Sequence, residues 1–313
     1  MMKKSLIALA VLAASGTAFA ATSNVDVYGE LRLAYENGDT NDGVVNNRNS
    51  RIGVKGSEDL GGGMSAIYKA EFLIGSTTGN GAAGYSAGEN VRNRDQFVGL
   101  KGGFGTVIVG SHNSPEKITI GGNMFEDTLG DKSQILGEES GYKDRVIAYV
   151  SPDFNGFHAA AAAVTVTGAG VEEVAGTSYA LVYANGPLSV AAGATSYDAA
   201  ASADSKSLTI GYKIGDVALR ATTQKSEAGT GGANTDYSAN YVDATYKMGA
   251  FDLTAAYGKR NVEGTGADLK ATTVGVRYNL SKRTNVQAVY NDYDSTTNSA
   301  DAGNFALHVN HSF

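Results

Sequence analysis

Two groups of charged residues could act electrostatically on ions and polar solutes. The stretch HNSPEKITIGGNMFEDTLGDKSQILGEESGY, residues 112–142, holds six acids and two lysines. Its candidate acids are Glu116, Glu126, Asp127 and Asp131. The candidate basic residues lie in earlier, alternating segments: Arg32, Arg51, Lys55, Lys69, Arg92 and Arg94. A basic wall that faces an acidic loop would create a transverse field, which orders water and disfavours apolar solutes.

Residues for covalent catalysis form no recognisable pattern. The four histidines are His112, His158, His308 and His311; none is near a G-x-S-x-G sequence, and their spacing does not suit a metal. The segment NGDTNDG, residues 37–43, spaces acids somewhat like a calcium loop but lacks the bidentate glutamate at the twelfth position. We predict no enzymatic activity, cofactor or metal, and interpret this segment as an exposed polar loop.

The N-terminus has the features of a cleaved export signal. Lys3 and Lys4 precede the short apolar run SLIALAVLAA, and Ala18-Phe19-Ala20 fits the small-x-small cleavage pattern. The run is too short for a membrane anchor, because a spanning helix needs about 20 residues. We predict a signal peptide over residues 1–20 and one mature domain over residues 21–313.

The composition of the mature chain excludes several classes of protein. Without Lys3 and Lys4, 23 Lys and Arg oppose 32 Asp and Glu, which argues against nucleic-acid binding. An exported chain with no cysteine has no disulfide framework. The 17 tyrosines and 10 phenylalanines argue against disorder. Together with 41 glycines, they favour an all-β fold.

Apolar and polar residues alternate over most of the mature chain, as in strands with one apolar face. In VDVYGELRLAY, residues 25–35, the valines and leucines share one face, and Asp26, Glu30 and Arg32 share the other. The same division recurs in SLTIGYK, VALRATTQ, DLTAAY and the final FALHVNHSF. Arg92 and Arg94 would lie on the polar face if Phe97 and Gly99 lie on the apolar one.

Short and long connections alternate strictly between these segments. Seven are tight and rich in glycine, proline or asparagine. Eight are longer and polar: 36–47, 75–91, 112–142, 168–176, 198–205, 226–237, 261–268 and 294–301. Fifteen connections imply sixteen antiparallel strands in a closed barrel, with all tight turns at one rim. The apolar face would contact lipid, because closure satisfies every backbone group, whereas a soluble sandwich should not separate loop lengths in this way.

Three longer motifs are YVSPDFNGF (149–157), GVRYNLSKRTNVQAVY (275–290) and FVGLKGGFGTVIVG (97–110). They resemble motifs of the general porins of Gram-negative outer membranes, in the subgroup typical of beta-proteobacteria, and the resemblance covers the whole mature chain. It implies a 16-stranded transmembrane β-barrel with short periplasmic turns, long extracellular loops and a third loop that folds inward to narrow the pore. Ser111 and Asn310 stand where that family often has arginine, so the resemblance does not give the sign of ion selectivity.

The resemblance also implies a function and partners. The protein would be an outer-membrane channel for passive diffusion of small hydrophilic solutes and ions. It would form a homotrimer in contact with the bilayer and lipopolysaccharide, and Phe313 would mark the chain for the barrel-assembly machinery. Two alternatives stay open: a substrate-selective channel for an anion or a sugar, and a structural or adhesive barrel. A sugar channel should have an aromatic track along its lumen, and most aromatic residues here fall on the lipid face.

Overall fold

The computed structural model describes residues 23–38, 41–75, 91–137, 142–168, 171–197, 203–227, 236–264, 268–295 and 302–313. The predicted signal peptide lies outside these residues. The strands are β1 (Ser23–Gly38), β2 (Asn41–Asn47), β3 (Arg51–Gly61), β4 (Met64–Ile74), β5 (Val91–Gly102), β6 (Gly105–Asn113), β7 (Tyr142–Val150), β8 (Phe157–Gly168), β9 (Val171–Asn185), β10 (Leu188–Tyr197), β11 (Asp204–Ile214), β12 (Val217–Glu227), β13 (Tyr237–Met248), β14 (Phe251–Val262), β15 (Asp268–Asn279), β16 (Thr284–Ser295) and β17 (Ala302–Ser312). One helix, α1 (Pro115–Ile120), and a 3₁₀ turn (Lys132–Gln134) follow β6.

The strands form one closed antiparallel barrel. Apart from β2 and β3, consecutive strands pair with each other, and β1 closes the sheet by pairing with β17, from Glu30 opposite Ser312 to Gly38 opposite Asn304. Both β2 and β3 pair with β1, one with each half of it. These two segments are therefore halves of a single barrel strand, and the predicted sixteen-stranded architecture is confirmed.

Residues 48–50 interrupt this second barrel strand. Asn49 has a φ of 58°, a left-handed conformation that few residues other than glycine adopt. The Ser50 amide donates to the Asn47 side chain at 3.1 Å, and the Arg48 amide donates to the Arg32 carbonyl at 2.9 Å. The interruption thus keeps its backbone bonded while it turns the side chain of Asn49 toward the interior.

The tight turns lie where the sequence predicts them, but two of the predicted long loops are wrong. The strands continue to Gly38 and resume at Asn41, so most of 36–47 is strand. Likewise, β8 reaches Gly168 and β9 begins at Val171, within the predicted loop 168–176. Alternation of apolar residues ends where the strands leave lipid, whereas backbone pairing continues into water. The hydropathy pattern therefore overestimates the length of these loops.

The outer surface is apolar and the inner surface is polar, as predicted. Along β1, Val27 is 65% exposed on the outside and Ala34 is 1% exposed on the inside. On β17, Phe305, Leu307 and Val309 are exposed outside, whereas His308 is buried inside. No helix among the described residues is long and apolar enough to cross a membrane.

The predicted orientation of Phe97 and Gly99 is wrong. Val98 is 61% exposed on the outside, and Phe97 packs inside against a cluster that contains Ile108 and Val146. A bulge lies between Asn93 and Gln96 of β5, because Ala70 pairs with Gln96 whereas Phe72 pairs with Asn93. An extra residue in one strand reverses the alternation. The Arg94 side chain consequently still reaches inward and contacts Glu71.

Candidate functional site

Residues 114–137, the inner loop, fold into the barrel and lie against its wall. The loop begins with α1, which Ser114 caps by accepting from the Lys117 amide, and Pro115 is its first residue. Proline suits this position because its missing N–H would have no partner there. The Glu116 amide donates to the Ser178 hydroxyl at 3.2 Å, and Thr119 is 3.1 Å from the Ser207 hydroxyl. Hydroxyls of β9 and β11 thus hold α1 in place.

The middle of the inner loop packs through an apolar underside. Ile120, Met124, Phe125, Ile135 and Leu136 are buried together with inward residues of β13 to β16. Glycines in the wall make room for them. A Cβ at position 275 would lie 2.7 Å from Phe125, and one at position 258 would lie 2.7 Å from Ile135. The loop therefore fits its own recess in the wall.

Cationic and hydroxyl side chains of the wall bind the backbone carbonyls of the inner loop. Arg220 donates to the Gly122 carbonyl at 2.6 Å, and Arg277 donates to the Met124 carbonyl at 3.0 Å. Arg260 donates to the Ile135 carbonyl at 2.6 Å, and Tyr293 donates to that of Leu129 at 2.8 Å. The sequence reasoning missed this role for the three arginines. Alternation of polar and apolar residues does predict that these arginines face the lumen, where they could contact an inserted loop.

The tip of the inner loop meets two of the predicted basic residues. Asp127 Oδ2 lies 2.5 Å from Arg32 Nη1 and 3.6 Å from Arg51 Nη1. Asp127 Oδ1 accepts from the side-chain Nδ2 of Asn49 at 2.6 Å, so the interruption of the second strand helps to hold the tip. Glu30 lies between the two arginines, 2.7 Å from Arg32 Nε and 2.7 Å from Arg51 Nη2.

A second charged cluster lies on the inner faces of β1, β4 and β5. Glu71 Oε1 accepts from Arg94 at 2.7 Å, and its Oε2 accepts from the Tyr28 hydroxyl at 2.8 Å. Lys69 lies 3.3 Å from Glu71 and forms a second ion pair with Asp95. Alternation places Glu30 and Glu71 on the polar faces of their strands, but neither was predicted to line the constriction, and Asp95 was missed altogether. The wall therefore carries both signs of charge, rather than being basic as predicted.

The remaining predicted residues occupy different environments. Lys55 Nζ lies 5.0 Å from the centre of the Tyr28 ring. Arg92 is exposed near the loop end of β5, opposite Leu73. Glu126 is exposed at the tip of the inner loop. Asp131 stabilises that tip, because its carboxylate accepts from the Asp127 amide at 2.6 Å and the Ser133 amide at 2.8 Å.

Glu116 does not face the passage, contrary to the prediction. Its side chain is fully buried between α1 and the wall, where its carboxylate accepts from the Ser205 hydroxyl at 2.5 Å. Lys132 is also buried in the inner loop and donates to the Gly121 carbonyl. Burial lowers the pKa of Lys132, because the ammonium loses hydration, although the neighbouring Asp131 opposes this effect.

A polar cavity of about 190 Å³ adjoins the contact between the tip of the inner loop and β1. Its lining includes Arg32 and Asp127 at that contact, and Arg277, His308 and Asn310 on the wall of β15 and β17. Asn310, where the resembling family often has arginine, donates to the Asn285 side chain at 3.0 Å.

A closed barrel with an apolar exterior, a charged interior and an inserted loop defines an outer-membrane channel. The chain belongs to the Gram-negative porin family, since the profile described as Gram-negative porin matches residues 6–298. It is 31% identical over 326 residues to outer membrane porin protein 32 of Delftia acidovorans, covering 90% of this chain and 87% of the relative. It is 38% identical over 173 residues to major outer membrane protein P.IB of Neisseria gonorrhoeae, where it spans only 46% of the relative.

Solved structures share the same fold. The barrel resembles an anion-selective porin from Comamonas acidovorans with a TM-score of 0.76 at 22% identity, covering 93% of this chain and 100% of the other. It resembles OmpF of Salmonella typhi, solved with daunomycin, with a TM-score of 0.76 at 16% identity over 92% and 97% of the two chains. The protein is therefore a porin of a Gram-negative outer membrane, and a channel rather than an enzyme.

Proposed function

We propose that this porin admits small hydrophilic solutes and ions through the space between the tip of the inner loop and the wall of β1, β3, β4 and β5. The observation that carries the proposal is Asp127, which is held at this wall by Arg32 and Asn49. Cations and carboxylates of the wall lie close together, so solutes meet a strong local field. Near balance of these charges favours weak selectivity between ions.

Current across a planar bilayer tests the channel. The purified protein should give stepwise, ohmic conductance that rises with salt concentration and does not saturate with any one small solute. Saturation by one anion or sugar at low concentration would favour the substrate-selective alternative. A folded barrel that gives no ion-permeable steps would contradict the channel itself and would leave the structural or adhesive alternative.

Lys55 should contribute to a mild preference for anions. Among the described residues, its ammonium has no carboxylate within ion-pair distance, and it lies over the Tyr28 ring. We expect Lys55→Glu to shift the permeability ratio toward cations by about two- to fivefold, because unit charges about 8 Å apart in water interact by about 0.5 kcal/mol. The reversal potential in a salt gradient measures this ratio.

Lys213→Glu is a matched control for that substitution. Lys213 is exposed at the turn end of β11, and the charge change is the same. If Lys213→Glu changed the permeability ratio as much as Lys55→Glu, charge at any position in the lumen would affect selectivity. Lys55 would then have no special place at the constriction.

We further propose how the protein assembles and is exported. We infer a homotrimer, and one supporting likeness is a trimer form of OmpT from Vibrio cholerae, with a TM-score of 0.74 at 21% identity. The unboiled protein should migrate as a trimer on a native gel, and a monomer there would count against this inference. Residues 1–20 would be removed on export, and lipopolysaccharide and the barrel-assembly machinery would be partners.

Phe313 is the proposed signal to the assembly machinery. Its ring is 44% exposed outside, and its amide donates to the Gly29 carbonyl at 3.0 Å, so it ends the seam where β17 meets β1. The substitution Phe313→Ala removes the aromatic ring and should leave the backbone hydrogen bonds with Gly29 in place. Less protein in the outer membrane, with normal refolding in detergent, would support a recognition role.

A further inference from the structure

The inner face of β4 to β8 carries a row of residues that have no polar side-chain atoms. Ile67 pairs in register with Gly99, Gly99 with Ile108, Ile108 with Ala148, and Ala148 with Ala162. The strands thus bring apolar residues side by side on the wall of the lumen, although a water-filled lumen favours polar side chains. Neither the barrel nor the charged constriction requires such a row.

Two bulky side chains form the surface of this row toward the lumen. Ile67 and Phe97 pack against the buried cluster that contains Ile108, and both remain half-buried themselves. The His112 ring lies edge-on to the Phe97 ring, with 5.4 Å between the ring centres. We call the row together with Phe97 the lumenal strip. Its accessible surface is fixed by packing, so it offers a preformed apolar contact to a solute in the lumen.

The helix α1 adds an apolar side chain beyond the β8 end of the lumenal strip. Ala162 pairs in register with Ser178, whose hydroxyl accepts from the Glu116 amide, so the strip ends where α1 is held to the wall. Glu116 and Thr119 lie on the face of α1 that the wall buries, whereas Ile118 is 52% exposed. Because α1 lies inside the barrel, this exposed side chain faces the lumen.

Charges of both signs border the lumenal strip. Lys69, which pairs in register with Phe97, forms ion pairs with Glu71 and Asp95. On the inner faces of β3 to β5, the cations beside the strip are Lys55, Lys69, Arg94 and Lys101. On β1 and the same strands, the carboxylates are Asp26, Asp59, Glu71 and Asp95. This balance does not select one sign of charge, but it complements a solute that carries both.

The strip and the charges act on different parts of a solute. An apolar group that contacts the strip takes apolar area of both surfaces out of water, which is favourable. A wholly apolar solute would displace water from the charged groups and give them no partner, which is costly. A wholly polar solute gains nothing from the strip. A compact apolar group beside an ammonium and a carboxylate satisfies both surfaces.

We propose that the passage favours small zwitterions with a compact apolar group, such as the aliphatic and aromatic amino acids. The apolar group contacts Ile67, Phe97 and Ile118, and the ionised groups lie at the charges of the wall. The proposal rests on the proposed diffusion channel in front of the inner loop and names its preferred class of solute. The contact raises the occupancy of the lumen by the solute, and therefore the flux at low solute concentration.

Uptake of radiolabelled leucine and asparagine into proteoliposomes tests this preference. The two are zwitterions of nearly the same size, so sieving by pore diameter affects them equally. After subtraction of uptake by protein-free vesicles, we expect wild type to admit leucine at least twofold faster than asparagine. The variant Ile67→Thr with Ile118→Thr should bring this ratio close to one. A wild-type ratio of one or less, or a ratio that the variant leaves unchanged, would overturn the proposal.

Two control variants separate the apolar contact from general damage to the barrel. Val182→Thr makes the same kind of change at a half-buried position on the inner face of β9, outside the strip, and should keep the wild-type ratio. Ile67→Val with Ile118→Val keeps apolar side chains and should also keep the preference. Loss of the preference in either control would show that the strip is not its cause. Uptake of asparagine should be the same in all of these variants.

Two leucine derivatives test the requirement for both charges. N-acetylleucine lacks the ammonium and leucinamide lacks the carboxylate, so each should enter wild type more slowly than leucine. Entry of either derivative as fast as leucine would contradict the preference for zwitterions. The channel itself is judged separately. If a folded wild-type barrel admitted neither leucine nor asparagine, the proposed diffusion channel would fail, whereas equal entry of both would contradict only the role of the strip.

Discussion

Phe125→Ala should release the inner loop from the wall while leaving the barrel intact. The Phe125 side chain is fully buried, and its ring fills the space above Gly275. Truncating a buried phenylalanine costs about 3–5 kcal/mol, more than the roughly 0.5–1.5 kcal/mol that one hydrogen bond contributes. The bonds from Arg220, Arg277 and the other wall side chains would then hold a loop that has lost the largest side chain of its apolar underside. We expect higher mean conductance, more open-channel noise and new protease cleavage within residues 114–137.

The control for this prediction is Phe104→Ala. The Phe104 ring is 45% exposed at the turn rim, so its loss removes an aromatic ring without touching the loop. Gel mobility before and after boiling should be the same for both variants and wild type, since the strands are unchanged. If Phe125→Ala kept wild-type conductance and protease resistance, the apolar underside could not be what positions the loop.

Asp127→Asn should shift the reversal potential toward anions. Arg32 and Arg51 both lie close to the Asp127 carboxylate, and without its charge Glu30 is the described carboxylate that still forms ion pairs with both. Asparagine has the same shape and can still accept hydrogen bonds, so the substitution separates charge from loop position. Losing one unit charge near the passage should change the permeability ratio by about two- to threefold.

Glu58→Gln is the control for Asp127→Asn. Glu58 is an exposed carboxylate near the turn rim, and its removal changes the net charge equally. Both variants should keep wild-type conductance, and only Asp127→Asn should alter selectivity. An unchanged reversal potential in Asp127→Asn would place the narrowest part of the channel away from the tip of the inner loop.

Most of the barrel could be predicted because lipid on one side and water on the other impose a period of two on each strand. This holds for the outward Val25, Val27 and Leu31, and for the final strand to Phe313. The interruption at Asn49 and the bulge before Gln96 could not be predicted in this way. Each changes which residues of a strand face inward, through a local backbone conformation. The pattern of apolar and polar residues does not show such a conformation.

The site was harder to predict than the fold. Charge types in the lumen can be read from alternation, but partners depend on register between strands and on the path of the loop. Glu116 illustrates this. Its backbone amide binds the Ser178 hydroxyl on β9, and its carboxylate binds the Ser205 hydroxyl on β11. Arg220 and Arg277 were visible as inward cations, yet only the path of the loop makes them its anchors.

Ions are proposed to pass between the tip of the inner loop and the wall of β3 to β5, and not through the polar cavity beside β15 to β17. The chain has no cysteine, so single cysteines can be introduced and tested alone. Lys55→Cys lies on the proposed passage, whereas Asn310→Cys lies in the lining of that cavity. A bulky, charged methanethiosulfonate added during single-channel recording should reduce the current in a step with Lys55→Cys and leave Asn310→Cys unchanged. Block of Asn310→Cys without block of Lys55→Cys would contradict the proposed route.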